Sequence, residues 1–282
     1  MPEFAVKTPP QHTSWADMLD VWRAADEIEV FSEAWNFDHF YPLHPPLDGR
    51  CMEGWTTLAA LTQATSRIRV GSMVNGMHYR HPAVTANMAA SLDIISGGRF
   101  NLGLGAGWFE PESQAYGIPL GTLKERMDRF DEGVEVIHRL LTQESTTFTG
   151  AYYQLADARC EPKPLQQPRP PIVIGGKGEK RTLRTVARYA DYWDAMFHDE
   201  PGSWARLNDI LLSHCQAVGR DPSAIRRSIH LRWAADGDPG ALADEAMRFT
   251  EAGVDTIIFS MQAPYSASAL EPMARALQAA SS

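Results

Sequence analysis

Cysteine is scarce in this sequence and carries no pattern. Cys51, Cys160 and Cys215 stand apart, no CxxC occurs, and an odd count argues against a disulfide framework, so a reduced, cytoplasmic chain is expected. Positive charge is also in deficit. The 26 Lys and Arg face 35 Asp and Glu, and the net charge of −9 disfavours nucleic-acid or anionic-membrane partners. No apolar run approaches a membrane span, and the opening MPEFAVKTPPQHT lacks the basic-then-apolar pattern of a secretion signal. HExxH and GxSxG are both missing, which removes the usual signatures of zinc and serine hydrolases. Nine histidines require metal binding to be weighed. The pairs His39/His44 and His78/His81 have no carboxylate at helical spacing, and no metal is expected. A two-carboxylate mechanism lacks its second acid, since neither Asp38 nor Glu110 has an evident partner.

What the sequence does contain is alternation. Hydrophobic residues make up 44% of 282, ample for a core. Short apolar runs at residues 4–6, 30–35, 68–74, 100–104, 172–174, 192–197, 228–233 and 256–261 read as strands. Helical patterns separate them. One is capped by Thr13 or Ser14, and others run over 53–65, 82–94, 123–141, 204–218, 241–252 and 270–280. Residues 105–171 form a long excursion between the fourth and fifth strands, with a small hairpin expected at 147–154. Eight strand–helix units predict a single (β/α)8 TIM barrel domain over residues 1–282. A doubly wound sheet is the alternative, but no GxGxxG follows the first strand.

In such barrels the loops after the strands build the site. Here they supply Trp35, Asn36, Asp38 and His39, then Asn75 to His81, then Gly105 to Glu110, and later His198, Trp233 and Gln262. Aromatics, amides and histidines dominate, which suits a planar heteroaromatic ligand. The fifth strand, IVI, runs into Gly175, Gly176, Lys177 and Gly178 ahead of a basic helix. Bare backbone N–H groups at such a turn cradle an anion, and a tight turn without a ligand is the competing reading.

The ordered blocks WNFDHF, RIRVGSMVNGMHYRHPAVTANMAASLDIISGGRFNLGLGAGWFEPESQAYGIP and PPIVIGGKGEKRTLRTVARYADYW resemble the bacterial luciferase-like superfamily. Within it the sequence is similar to the actinobacterial deazaflavin-dependent oxidoreductases, over residues 4–260. The resemblance implies a barrel carrying a deazaflavin (coenzyme F420) or, as the alternative, FMN across its C-terminal mouth. It implies that Asp38 and His39 sit beside the ring, with His39 as the proton-handling group and Asp38 either functional or only capping a turn. Ser72, Met73, Val74 and Asn75 match a bulged segment, often with a non-prolyl cis peptide, behind the ring. Gly105, Ala106 and Gly107 match the next backbone wall. Gly175, Gly176, Lys177 and Gly178 match the phosphate cradle. The basic side chains of Lys177, Lys180, Arg181, Arg184 and Arg188 are then either a solvated helix face or the counterpart of the acidic tail that F420 has and FMN lacks.

The sugar-phosphate dehydrogenases of the superfamily carry an acid directly after the fourth-strand GxG, where this chain has Trp108, so glucose 6-phosphate is not expected as substrate. Three functions follow from the resemblance. The first is hydride transfer between a deazaflavin and a small organic substrate. The others are an FMN-dependent monooxygenase using oxygen and a cofactor-binding protein without turnover. Family habit implies a homodimer, which nothing in the composition requires.

Overall fold

Runs of Val, Ile and Phe that are apolar at every position suit strands buried on both faces, and such strands need a parallel sheet with helices over it. The computed structural model describes residues 2–234 and 236–281, so both ends of the expected domain, Met1 and Ser282, lie outside the described residues. The strands in chain order are β1 (Glu3–Lys7), β2 (Phe31–Asn36), β3 (Arg69–Ser72), β4 (Asn75–Gly76), β5 (Phe100–Gly105), β6 (Thr146–Thr149), β7 (Gln154–Ala158), β8 (Ile172–Gly175), β9 (Tyr192–Phe197), β10 (Arg226–Trp233) and β11 (Thr256–Met261). Neighbours follow the order β3, β2, β1, β11, β10, β9, β8, β5, all parallel. Val70 opposite Phe100 and Gly71 opposite Asn101 join β3 to β5 and close the ring. The short β4 continues β3 along β5, so the closed barrel has the eight strands expected of a (β/α)8 fold.

The helices are α1 (Trp15–Glu27), α2 (Gly54–Gln63), α3 (Pro82–Ile95), α4 (Glu110–Ala115), α5 (Leu123–Thr142), α6 (Thr182–Tyr189), α7 (Pro201–Val218), α8 (Pro239–Glu251) and α9 (Leu270–Ala280). Ser14 starts α1 with a reciprocal capping box to Asp17. Pro82 occupies the first turn of α3, where its missing N–H costs nothing. Among the described residues no helix is long and apolar enough to cross a membrane.

The outward faces of the strands pack on the helices as one continuous core that includes Trp22, Phe31, Leu58, Phe100, Ile172 and Phe259. A separate plug of Ala5, Trp35, Met73, Val173, Tyr192 and Ile258 fills the lumen. Two departures from the sequence reading bear on the mouth. The strand expected at 68–74 breaks after Ser72 and resumes at Asn75, because the Met73–Val74 peptide is cis and the Met73 N–H donates across to the Asn36 carbonyl at 3.0 Å. The excursion also holds a short helix, α4, that the apolar pattern did not signal.

Candidate active site

The exit of β2 carries two neighbouring groups with different surroundings. Asp38 is fully buried, and Arg80 grips both its oxygens at 2.6 and 3.0 Å while reaching Glu53 at 2.9 Å. Burial raises the Asp38 pKa against the pull of Arg80. With both oxygens occupied, Asp38 ties the β2 loop to the loop after β4.

His39 remains 9% exposed. Its Nδ1 lies 2.8 Å from Oε2 of Glu112 on α4, and among the described residues nothing hydrogen-bonds its Nε2. Glu112 is fully buried and also accepts from the Tyr79 hydroxyl and from the backbone N–H groups of Phe40 and Tyr41. Burial works against its charge, but the bonds from His39, Tyr79 and Phe40 hold its carboxyl below the usual value. Burial first, then Glu112, raises the Tyr79 phenol, so Tyr79 stays protonated and donates. A carboxylate that accepts from Nδ1–H fixes the tautomer and leaves Nε2 able to take a proton. The rings of Phe37, Tyr79, Trp108 and Phe109 enclose the imidazole, with centroids 5.0–6.2 Å away. Beside Trp108 opens a cavity of about 510 Å³, lined among others by Glu110, Ser113, Gln114, Leu120 and Arg126.

Across the mouth, Val74 of the cis peptide projects between Gly105 and Gly175. A Cβ on either glycine would stand 2.6 or 3.0 Å from a Val74 methyl, so the walls come this close only as bare backbone. Asn75 donates to the Gly103 carbonyl at 2.7 Å and leaves its Oδ1 buried without a partner, as is Ser72 Oγ. Gly107 follows with its carbonyl held by Arg126 at 2.9 Å, and half-buried Ala106 packs on the core. Gly176, at φ +130°, turns the chain out of β8 toward α6, a conformation that L side chains rarely adopt. Lys177 and Gly178 are exposed there.

The basic helix looks different once its partners are known. Arg181 pairs with Asp128 and Asp131 of α5 at 2.6 Å each, and Arg184 reaches Asp131 at 3.3 Å. Lys177 donates to the Phe197 carbonyl. Lys177, Lys180 and Arg188 are exposed and make no ion pair among the described residues, so three of the five remain to meet an acidic tail, while Arg181 and Arg184 are engaged by α5. Glu110 is exposed and bonds Gln114, whereas the buried acid is Glu112. Sequence reasoning passed over Glu112, although a second acid two residues on in GWFEPE was a visible signal. It also passed over Lys7 at the end of β1, Asp194 within β9 and His230 within β10. Among the described residues no group of three His, Cys, Asp or Glu side chains is placed to hold a metal ion.

A family model described as luciferase-like monooxygenase matches residues 2–280. An F420-dependent hydroxymycolic acid dehydrogenase of Mycobacterium tuberculosis is 35% identical over 242 residues, covering 85% of this chain and 65% of that protein. An FMNH2-dependent dimethylsulfone monooxygenase of Pseudomonas putida is 30% identical over 203 residues, covering 67% of this chain and 55% of the other. The chain therefore spans less than two thirds of the length of these relatives. Among solved structures, an F420-dependent secondary alcohol dehydrogenase in complex with an F420-acetone adduct superposes with a TM-score of 0.88 at 19% identity, over 99% of both chains, a likeness of fold. The match across nearly every residue, on a closed eight-stranded barrel with the bulge where the motif put it, places this chain in the luciferase-like monooxygenase family.

Proposed function

We propose that this chain is a deazaflavin-dependent oxidoreductase that moves a hydride between coenzyme F420 and a small organic substrate. The observation that carries this reading is the His39–Glu112 pair, which fixes one imidazole nitrogen and leaves the other free at the barrel mouth. The residues around it fit a planar cofactor with a phosphate. Ser72 Oγ and Asn75 Oδ1 are buried without partners, and the bare backbone of Gly105 and Gly175 leaves no room for a side chain against Val74. When bound, the coenzyme supplies the ring carbon that gives or takes the hydride.

The protein supplies the rest. Gly175, Gly176, Lys177 and Gly178 would hold the phosphate. Ser72 to Asn75 would back the ring, and Gly105, Ala106 and Gly107 would wall it. His39 Nε2 holds or moves the proton at the substrate oxygen, a step of general acid–base type. Glu112 sets the tautomer of His39, Tyr79 steadies Glu112, and Asp38 positions the β2 loop through Arg80. Phe37 and Phe109 keep water from the imidazole. The F420-dependent relative from Mycobacterium tuberculosis supports the deazaflavin.

The FMNH2-dependent relative supports an FMN monooxygenase as the second reading, and one titration separates the two. Tryptophan fluorescence of the purified protein is followed with F420 and with FMN. Tight F420 binding with no FMN binding is the expected result, and the reverse selects the monooxygenase. Binding of neither sinks both. The reading also includes a single barrel domain over 1–282 acting as a cytoplasmic homodimer without nucleic-acid partners. Three free cysteines and the net charge of −9 support the compartment and the absence of nucleic acid, and sedimentation tests the dimer.

A further inference from the structure

The floor of the barrel mouth holds a charge that the proposed reaction leaves unused. Side chains two apart on a strand share a face. Ala5 belongs to the lumen plug, so Lys7 enters the lumen one layer nearer the mouth. It is only 9% exposed, yet among the described residues its ammonium makes no hydrogen bond and no ion pair. Burial pulls its pKa down to about 8, with Asp194 opposing, so it still carries its proton at neutral pH.

Its neighbours cannot neutralise it closely. Oδ1 of Asp194 on β9 accepts from Ser228 at 3.2 Å and from the Met196 N–H at 3.1 Å, and lies 3.2 Å from His230 Nε2. Burial lowers the pKa of His230, which stays neutral and donates to Asp194. Its Nδ1 is buried without a partner, and its Nε2 lies 3.1 Å from Met73 Sδ. Oδ2 of Asp194 faces the position a Cβ on Gly175 would take, 3.7 Å away. The floor thus adjoins both the cis segment at Met73 and the start of the cradle at Gly175, rather than the His39 cage. An ammonium on a side chain this deeply set, with no ion pair, is costly, and an apolar residue would serve the core better. Its position calls for an anion from the cofactor side.

We infer that Lys7 is the cationic floor of the cofactor site, compensating the negative charge that the pyrimidine edge of a deazaflavin gains on reduction. The inference rests on the deazaflavin reading above. For an alcohol substrate, the C–H bond breaks with its electron pair and that hydride forms a C–H bond on the ring carbon. The hydroxyl proton passes to His39 Nε2 as the carbonyl forms. The electron pair added to the ring would be delocalised onto its pyrimidine nitrogen and carbonyl, and Lys7 would supply the ammonium that compensates this charge.

The test compares the wild type, Lys7→Met and Lys7→Arg, titrated with oxidised and with reduced F420 in the absence of substrate. Circular dichroism and melting show whether each variant folds, and Met keeps the bulk while removing the charge. The expected result is that Lys7→Met raises the ratio of reduced to oxidised dissociation constants about tenfold or more, as for a close buried charge pair. Lys7→Arg should restore most of it. An unchanged ratio, with both forms still bound, overturns the role of Lys7 and leaves the deazaflavin reading standing. A loss confined to turnover, with the ratio unmoved, also overturns it by assigning the charge to the substrate oxygen. If the wild type binds neither redox form, the functional reading fails and the inference falls with it.

Discussion

The two ends of the barrel lumen use similar residues and differ in how completely they are paired. At the N-terminal end, Arg226 bonds Glu3, approaches Glu33 at 3.0 Å, donates to Thr256 at 2.8 Å and lies over the Tyr192 ring. Arg69 there donates to Asn101 at 2.6 Å and to Gln166 at 2.8 Å. At the mouth, Lys7 has no partner, and Ser72 Oγ, Asn75 Oδ1 and His230 Nδ1 are buried without one. A buried polar group without a partner costs about 1–3 kcal/mol. A fold that pairs its charges at one end, even with Glu33 Oε1 lacking a hydrogen bond, and leaves Lys7 without an ion pair at the other is stabilised at the first and receptive at the second. This matches the general division of such barrels into a stability face and a catalytic face.

The sharpest way to test that division is to alter one group at each end. His39→Ala should lower kcat by about 10²- to 10⁴-fold, the range for losing a general acid or base. Coenzyme affinity should stay as it was, and steady-state kinetics beside a binding titration read the two separately. Wild-type turnover in this variant would remove His39 from the chemistry.

At the other end, Arg226→Met leaves Glu33 buried without its cation, with only the Trp35 indole N–H at 3.0 Å and the Tyr192 hydroxyl beside it. It should cost about 3 kcal/mol of stability by denaturant unfolding, the low end for a broken buried pair because Arg226 is partly solvated. Turnover per folded molecule should not change. A fall in turnover without loss of stability would show that the two ends are not separable.

Glu112→Gln gives the smallest effect and tests a residue placed between the two roles. Losing the partner that orients His39 should slow turnover about 10- to 100-fold, the size seen for outer partners of histidine ligands. A pH series adds a second readout. The carboxyl of Glu112 is held below its usual value in the fold, so its contribution to stability is present above the unfolded value of about 4.3 and is lost as pH falls through the lower folded one. Acid unfolding below about pH 4 should therefore be shallower in Glu112→Gln than in the wild type. Equal acid profiles would mean that Glu112 is not held ionised.

Much of the barrel was legible before any coordinates. The runs 192–197 and 256–261 became β9 and β11 with the same bounds, because every residue in them is apolar or inward-facing and they need no distant partner to be read as strands. The glycine turn after β8 and the capping box at Ser14 were readable for the same reason, since a turn and a cap are set by residues within four positions. The break between β3 and β4 was legible only through the family resemblance, and not to the single peptide, because nothing local in GSMVNG marks which one turns.

At the site, the motif led to His39, Asp38 and the bulge, and left open whether Glu110 faces the mouth. Glu110 and Glu112 are two residues apart on a six-residue helix, too short for periodicity to tell the buried one from the exposed one. The partners of the basic helix were hidden in the same way: its charges are visible in the sequence, but the acids of α5 that neutralise Arg181 lie about fifty residues earlier.

The sequence by itself determined which stretches are strands, where the chain must turn on glycine, and which family blocks stand in which order. All of these depend on neighbours along the chain. Only the tertiary structure decided which charges are paired, which polar atoms are left open, and that Lys7, Asp194 and His230 share one floor. They come from β1, β9 and β10, which meet only when β11 sits between β1 and β10 and the sheet closes on itself. Pairing across that ring depends on closure, strand twist and register, which no local pattern of residues encodes.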